Sequence, residues 1–156
     1  MSETNKIIDI SMSDMKVAKN DGVLRSSGIG SCVVITLFDP VVRVGALAHP
    51  MLAKNISDTT DHSLRFVDKA IDAMISALER MGARKSQLEA KIVGGANMFK
   101  VFDKNPDSIG LQNAEVAKKK LDKEGIKIVA NDTGGNVGRS VVFDLKTGLV
   151  EVKTKI

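Results

Sequence analysis

The sequence predicts a mixed α and β fold in one globular domain, and three observations lead to this prediction. Runs rich in β-branched residues, separated by turn signals, occupy the first 50 and the last 30 residues. Between them, one stretch repeats apolar residues at helical spacing. No internal repeat, low-complexity segment or long linker divides the 156 residues, of which 43% are hydrophobic. We therefore expect a single domain over residues 1–156 with a substantial core.

The first third of the chain is predicted to be β structure. A turn at Asn20-Asp21-Gly22 and a second turn at Asp39-Pro40 separate its apolar runs, and a short Gly-rich segment, Ser26 to Ser31, precedes Cys32. The predicted strands are 7–10, 15–18, 23–24, 32–38 and 43–49. The last two strands, joined by the Asp39-Pro40 turn, have the pattern of a β-hairpin.

The middle of the chain contains the clearest helix, predicted over 64–81. Its apolar residues recur every three or four positions, with Asp61 or Ser63 as the expected cap and Gly82 just past the end. The stripe is typical of a packing face and consists of Leu64, Val67, Ile71, Met74, Leu78 and Met81. Further elements are predicted as a strand at 88–93, a break at Gly94-Gly95, a loop at 105–107, a helix at 111–124, and strands at 126–130, 140–145 and 149–153.

Composition argues against nucleic acid and membrane as partners. The net charge is +4, but the chain has no Trp or Tyr on which bases could stack, and its basic run, Lys118 to Lys120, falls in a helical pattern typical of a solvated face. No run of about 18 apolar residues occurs, and residues 1–10 lack the pattern of a secretory signal. A cytoplasmic protein is expected.

Cys32 is the one cysteine of the chain and cannot form an internal disulfide. A lone thiol is often simply buried, but the hairpin gives this one a partner. If residues 39–42 form a four-residue loop, Phe38 pairs with Arg43, and the same register places Cys32 directly opposite His49, with Cβ atoms roughly 4.5 to 5.5 Å apart. Cys32 is therefore the predicted nucleophile and His49 its predicted base, whose imidazolium form is expected to lower the pKa of the thiol.

A cysteine nucleophile of this kind also needs a group that orients the histidine and a donor for the oxyanion. Ser26 is the candidate orienter, acting through its hydroxyl or its backbone carbonyl, although an ordinary turn serine is an equally open interpretation. The glycines before Cys32 leave room for a carboxamide, and the Cys32 amide is expected to contribute to the oxyanion site.

Nucleotide, metal and cofactor binding have little support in the sequence. There is no GxxxxGK[ST] pattern, and Gly28-Ile29-Gly30 lacks the third glycine and the following helix of a dinucleotide site. Cys32, His49 and His62 do not form a compact ligand set, and His62 is expected to be a surface residue. No cofactor is predicted.

Several segments resemble the CheD family of chemoreceptor glutamine deamidases. The segments GIGSCV at 28–33 and VGALAHPML at 44–52 are similar to the nucleophile and histidine segments of that family. The resemblance continues in order and spacing through 66–68, 81–83, 89–99, 109–110 with Asn113, 132–136 and 138–140. It covers nearly the whole chain. The third site position is often threonine in the family, and here it is Ser26, which keeps the hydroxyl.

The resemblance implies an α+β fold in which a layered sandwich of β-sheets is flanked by two main helices, as in the catalytic domain of deamidating bacterial toxins. It implies a Cys32, His49 and Ser26 site that converts glutamines of methyl-accepting chemotaxis receptors to glutamates. It also implies a CheC-type response-regulator phosphatase as partner. The alternative is a non-catalytic interaction module that binds receptor or phosphatase. The Gly94-Gly95 and Gly134-Gly135 loops either line the cleft or are only tight turns.

Overall fold

A computed structural model of the chain describes residues 6–54, 58, 60–98 and 108–155. The predicted loop at 105–107 lies outside these residues. The strands are β1 Ile7–Asp9, β2 Met15–Lys19, β3 Val23–Ile29, β4 Val33–Asp39, β5 Val44–Ala48, β6 Glu89–Gly94, β7 Lys127–Thr133, β8 Gly138–Asp144 and β9 Leu149–Lys155. The helices are α1 Val67–Arg80 and α2 Ile109–Lys123, with a short 3-10 turn at Lys85–Gln87.

The strands form two sheets. One sheet has four strands in the order β1-β3-β8-β9, and the other has five in the order β2-β5-β4-β6-β7. β1 runs parallel to β3 and β6 parallel to β7, while the other neighbours are antiparallel. Every residue of the central strand β4 is buried, which explains its nearly continuous apolar sequence.

Two hydrophobic cores separate three layers. Side chains such as Leu24, Val34 and Phe143 fill the space between the two sheets. Alternate residues of β4, including Ile35, point to the opposite side, where they pack with Ile71 of α1 and Leu121 of α2. Both helices therefore cover the same face of the five-stranded sheet. The predicted α+β sandwich flanked by two helices is confirmed. Of the predicted stripe, Val67, Ile71, Met74 and Leu78 are core, Met81 is partly buried against them, and Leu64 precedes the helix.

Helix α1 begins three residues later than predicted, and its predicted caps were wrong. Its N-cap is Phe66, which makes no side-chain capping bond. Leu52 pairs with Phe66 in an isolated bridge, and its carbonyl accepts the Val67 N–H at 2.8 Å. Asp61 and Ser63 instead accept amides two residues ahead, as in turns. The segment after His49 thus fixes the start of the helix.

The hairpin between β4 and β5 differs from the predicted register. Asp39, not Phe38, is the last paired residue of β4, and its partner is Val44. The loop is therefore 40–43. Asp39 is fully buried and its carboxylate accepts the amides of Val41 at 2.8 Å and of Arg84 at 3.0 Å. These bonds hold Asp39 in the ladder, so the turn is shifted by one residue at each end.

β3 runs five residues beyond its predicted end, because the start of the Gly-rich segment pairs with β8. The other elements agree with the prediction to within three residues at each end. α2 begins two residues earlier than expected because Ser108 caps it, accepting the Leu111 N–H at 3.4 Å. In the basic run of α2, Lys118 and Lys119 are exposed, and Lys120 pairs with Asp72 and Glu124. Among the described residues, neither helix has the length and apolar character needed to span a membrane.

Candidate active site

The three predicted site residues lie where the two sheets meet. Ser26 is in β3 of the four-stranded sheet, and His49 directly follows β5 of the five-stranded sheet. Cys32 lies in the short connection from β3 to β4. The exposed fractions are 2% for Ser26, 7% for Cys32 and 1% for His49. The polar side chains of Ser26 and His49 therefore need partners within the protein.

Ser26 and His49 are joined by a direct hydrogen bond of 2.8 Å between Oγ and Nδ1. The Ser26 hydroxyl also lies 2.7 Å from the carbonyl oxygen of Ile10. A carbonyl can only accept, so the single hydroxyl proton is donated to Ile10, and Nδ1 must carry the proton it shares with Ser26. This arrangement fixes the tautomer of the neutral ring, with the lone pair on Nε2. The hydroxyl of Ser26, rather than its carbonyl, makes this contact.

The unprotonated Nε2 of His49 is buried and has no hydrogen-bond partner among the described residues. Burial lowers the pKa of His49 to about 4. At neutral pH the imidazole is therefore uncharged, with a free lone pair at Nε2. Such a group can accept a proton from a neighbouring nucleophile.

Cys32 is diagonal to His49 rather than directly opposite to it, so the predicted pairing was wrong. The observed register, continued by the 3.3 Å bond from Val33 N–H to the Pro50 carbonyl, places Val34 opposite His49. Cys32 is two residues before Val34 and so falls on the same face of the ladder, where diagonal neighbours have Cα atoms about 7 to 8 Å apart. The predicted partner of His49 was thus two residues from the observed one, and a shift of two keeps a residue on the same face of the strand.

The Cys32 thiol is protonated in the resting site. Burial raises its pKa, and the amide N–H of Cys32 itself opposes part of that rise by favouring the thiolate. The sequence led us to expect an imidazolium that lowers the pKa of this thiol, but the buried, neutral His49 supplies no such charge. The resting site thus combines a neutral thiol with a neutral imidazole.

The backbone of Cys32 is held by the glycine pair at the end of β6. Gly95 N–H donates to the Cys32 carbonyl at 2.7 Å, and Ala96 N–H donates to the Gly30 carbonyl at 2.9 Å. Gly94 and Gly95 have φ values of 115° and 66°, which favour glycine. The sequence predicted a break here that either lines the cleft or is only a tight turn, and in the structure the pair closely approaches the main chain of Cys32.

A β-bulge separates Ser26 from the segment that contains Cys32. The pairing of β3 with β8 shifts by one residue between Ser26 and Ile29, and Gly28 there has a φ of 67°. A bulge inserts one unpaired residue and bends the strand. The Gly-rich segment therefore redirects the chain between the residue that binds His49 and Cys32.

Asn113 of α2 is a site residue to which the sequence pattern assigned no role. Its Nδ2 donates to the carbonyls of Ser31 at 2.9 Å and of Met51 at 2.8 Å, next to Cys32 and close to His49. The side chain is fully buried. A signal for it was present, since an amide at a buried position of an amphipathic helix needs polar partners.

A pocket of about 250 Å³ adjoins the Gly94-Gly95 and Gly134-Gly135 loops. The Gly134 N–H donates to the Gly94 carbonyl at 3.0 Å, and the Gly135 carbonyl accepts from Asn97, so the second glycine pair is tied to the first. The pocket is lined by both loops and by the first turns of α2, including Leu111. His62 is exposed, as the sequence predicted. Among the described residues, no set of three or more His, Cys, Asp or Glu side chains could hold a metal ion.

The family described as CheD chemotactic sensory transduction matches residues 50–154. This match begins one residue after His49, so it includes Asn113 and the two glycine pairs but not Ser26, Cys32 or His49. The relatives extend the similarity over those three residues as well.

The relatives are similar over nearly their whole length. The chemoreceptor glutamine deamidase CheD of Thermotoga maritima is 43% identical over 144 residues, which is 92% of this chain and 89% of that protein. The probable chemoreceptor glutamine deamidases CheD of Natronomonas pharaonis and Thermococcus kodakarensis are 41% and 38% identical, over 97% and 94% of this chain and 90% and 91% of theirs. A solved structure, the Bacillus licheniformis hypothetical protein YfiH, is 14% identical with a TM-score of 0.48 over 85% of this chain and 60% of that one. That last similarity is too low to bear on fold or function.

Proposed function

This chain belongs to the CheD family, and on that premise we propose that it is a chemoreceptor glutamine deamidase with Cys32 as nucleophile, His49 as general base and Ser26 as the residue that orients His49. The substrate is a glutamine side chain of a methyl-accepting chemotaxis receptor, and the products are glutamate and ammonia. The observation that carries the proposal is the Ser26 to His49 hydrogen bond, because it leaves the lone pair on Nε2, where a base is needed.

The first half of the reaction forms a thioester. As the Cys32 sulfur attacks the carboxamide carbon, the thiol proton passes to Nε2 of His49, and the carbonyl becomes an oxyanion beside the Cys32 amide N–H. The C–N bond then breaks, and the imidazolium returns the proton to the leaving nitrogen, which departs as ammonia. His49 is neutral again at the end of this step.

The second half restores the enzyme. Nε2 of His49 takes a proton from a water molecule that attacks the thioester carbon, and the C–S bond breaks. The proton goes back to the Cys32 sulfur, and the glutamate is released. The balance is one glutamine and one water converted to one glutamate and one ammonia, with both side chains unchanged.

The neutral resting pair supports proton transfer in the transition state rather than a preformed ion pair. A raised thiol pKa and a lowered imidazole pKa both disfavour the thiolate and imidazolium forms before substrate binds. Substrate then supplies the electrophile toward which charge develops. In this respect the site resembles a serine hydrolase more than an enzyme with a standing thiolate.

Mass spectrometry of a receptor cytoplasmic fragment tests the proposal. Each deamidation adds about one dalton, and the wild-type protein should convert specific glutamines while Cys32→Ala and His49→Gln variants do not. Equal conversion by the wild type and the Cys32→Ala variant would reject Cys32 as nucleophile. The Ser27→Ala variant, altered at an exposed neighbour of Ser26, serves as the control that retains activity.

We further propose that the receptor helix and a CheC-type phosphatase bind the same rim of the site. Met98, Ile109 and Leu111 are large apolar side chains with exposed fractions of 47%, 52% and 43%, and Met98 lies next to Gly30 in the nucleophile segment. An amphipathic helix could cover this rim.

Receptor fragment and phosphatase should compete for the Cys32→Ala protein, and simultaneous binding of both would contradict a shared rim. Binding without conversion by the wild type would favour the interaction module over the enzyme.

A further inference from the structure

The amide of Asn113 connects the nucleophile segment to the histidine segment. Its Nδ2 group donates to the Ser31 carbonyl at 2.9 Å and to the Met51 carbonyl at 2.8 Å. Both partners can only accept, so the amide has one possible orientation, with Nδ2 toward the backbone. Ser31 directly precedes Cys32, and Met51 is two residues after His49. One side chain of α2 thus contacts the main chain beside both reacting residues.

We infer that Asn113 is a positioning residue that aims the Cys32 amide N–H at the oxyanion, an inference that rests on the proposed deamidase reaction. The Ser31 carbonyl and the Cys32 N–H belong to the same peptide group. The described peptide bonds are trans, so these two groups point in opposite directions across a rigid plane. When Asn113 holds the carbonyl, it also sets the direction of the N–H.

The other contacts of Cys32 complete this constraint. Its carbonyl accepts from Gly95 at 2.7 Å, so the peptide groups on both sides of Cys32 are anchored. Its N–H is paired with no other described residue and lies beside its own sulfur, where it favours the thiolate. A donor that is fixed in direction and has no partner among the other described residues is what an oxyanion site requires.

The bond to Met51 gives the same side chain a second effect. Val33 and Pro50 form the last backbone bond of the β4 and β5 ladder, so Cys32 and Met51 lie just beyond its end. Without Asn113, the partly buried carbonyls of Ser31 and Met51 would lose this partner. The buried Oδ1 of Asn113 has no partner among the described residues, which costs free energy. The effect of this amide is therefore chiefly geometric, since its stabilisation is partly cancelled.

Replacing the amide by an apolar group of similar size tests the inference. The Asn113→Leu variant keeps the volume and loses both donors. We expect kcat for receptor deamidation to fall about 100-fold with little change in KM, because a misdirected oxyanion donor affects the transition state more than substrate binding. A matched control is Leu121→Ala, which removes a fully buried side chain two turns along the same helix. It should lower the melting temperature without changing kcat at a temperature where the protein stays folded.

A second readout reports on the Cys32 N–H without turnover. Cys32 is the one cysteine of the chain, so protein labelled with ¹⁵N-cysteine gives a single amide resonance. That resonance should move or broaden in Asn113→Leu and keep its wild-type position in Leu121→Ala. An unchanged resonance in the folded Asn113→Leu protein would overturn the inference, as would a wild-type kcat.

These readouts separate the two hypotheses. If the wild-type protein deamidates no receptor, the proposed function fails, while the Cys32 resonance still decides whether Asn113 directs this amide. If the wild type is active and Asn113→Leu equals it, only the role of Asn113 is rejected. A kcat that falls in Leu121→Ala as much as in Asn113→Leu would show that loss of stability, rather than lost positioning, explains the effect.

Discussion

A methyl group at position 94 would lie 2.5 Å from the carbonyl oxygen of Cys32, so the main chain of Cys32 occupies the space that Gly94 leaves open. The same methyl group would come 2.6 Å from Cγ2 of Ile29. Contacts this short with backbone and buried side chain cannot be relieved by rotating a flexible group. The close approach allows Gly95 to bind the Cys32 carbonyl. Gly94 is therefore part of what positions Cys32.

The Gly94→Ala variant should lose most of its activity. Alanine would push the Cys32 carbonyl away and would also adopt a strained backbone at a φ of 115°. We expect kcat to fall about 100-fold, measured by mass spectrometry of receptor fragment under saturating substrate. Gly82→Ala is the matched control, since Gly82 has a φ of 95° with open space around it and lies just past the end of α1. If both variants lose activity equally, strain rather than displacement of Cys32 is responsible.

Two substitutions at Ser26 distinguish the effect of its hydroxyl on activity from the effect of side-chain size. Ser26→Ala leaves Nδ1 of His49 and the Ile10 carbonyl without their shared partner, and the ring is then free to place its proton on Nε2. We expect kcat to fall about 100-fold or more. Ser26→Thr retains the hydroxyl and should stay within about ten-fold of wild type. Activity of the alanine variant close to that of the threonine variant would argue against an orienting role.

The pH dependence of the reaction follows from the shifted pKa values of His49 and Cys32. His49 must be neutral to accept a proton, and its pKa is lowered to about 4. The value of kcat/KM should therefore fall only as the pH drops through about 4, and it should be level from about pH 5 to 8. An acid limb near 6.5, the ordinary value for histidine, would contradict this assignment. His62→Gln, altered at the exposed histidine, should have an unchanged profile.

The raised pKa of the Cys32 thiol predicts how the free protein reacts with an alkylating reagent. Because burial raises the pKa of Cys32, reaction with iodoacetamide should be slow at neutral pH and should increase at a higher pH than for an ordinary thiol. The comparison is glutathione, titrated under the same conditions. Fast alkylation that reaches a plateau near pH 6 would indicate a resting thiolate paired with imidazolium.

Asp39 should matter for stability and not for chemistry. Its buried carboxylate accepts the amides of Val41, Val42 and Arg84, and Asp39→Ala would leave these donors unpaired. We expect the free energy of unfolding to fall by about 3 kcal/mol, measured by urea denaturation. Asp144→Ala, which removes a single bond to the exposed turn at Lys146, should cost less than about 1 kcal/mol. Comparable losses in the two variants would show that the hairpin does not depend on Asp39.

The sequence predicted the elements and the faces of the site residues better than their pairing. Strand alternation depends only on whether residue numbers are odd or even, so a hairpin shifted by one residue at each end kept Cys32 and His49 on one face. The register itself depended on Asp39, whose carboxylate reaches Arg84, 45 residues away. A contact of that separation is not visible in local turn patterns.

The residues around the site were harder to predict for the same reason. Asn113 bonds to carbonyls 82 and 62 residues earlier in the chain, and those carbonyls carry no side-chain signature. Likewise, the partner that fixes the proton of His49 is the main chain of Ile10, reached through Ser26. The sequence contained Ser26 as a candidate, but the choice between hydroxyl and carbonyl required the packing of β3 against the end of β5.

Ser26 belongs to one sheet, whereas His49 directly follows a strand of the other sheet, and Gly95, which binds the Cys32 carbonyl, directly follows β6 of that same sheet. The proposed activity therefore requires the two sheets to stay packed together. If one sheet shifted relative to the other, Ser26 Oγ and His49 Nδ1 would separate, although every strand would remain paired within its own sheet. On heating, deamidation should be lost before the far-ultraviolet circular dichroism changes. Ligands or mutations that loosen the inter-sheet layer near Leu24 or Phe143 would act as inhibitors at a distance from the thiol.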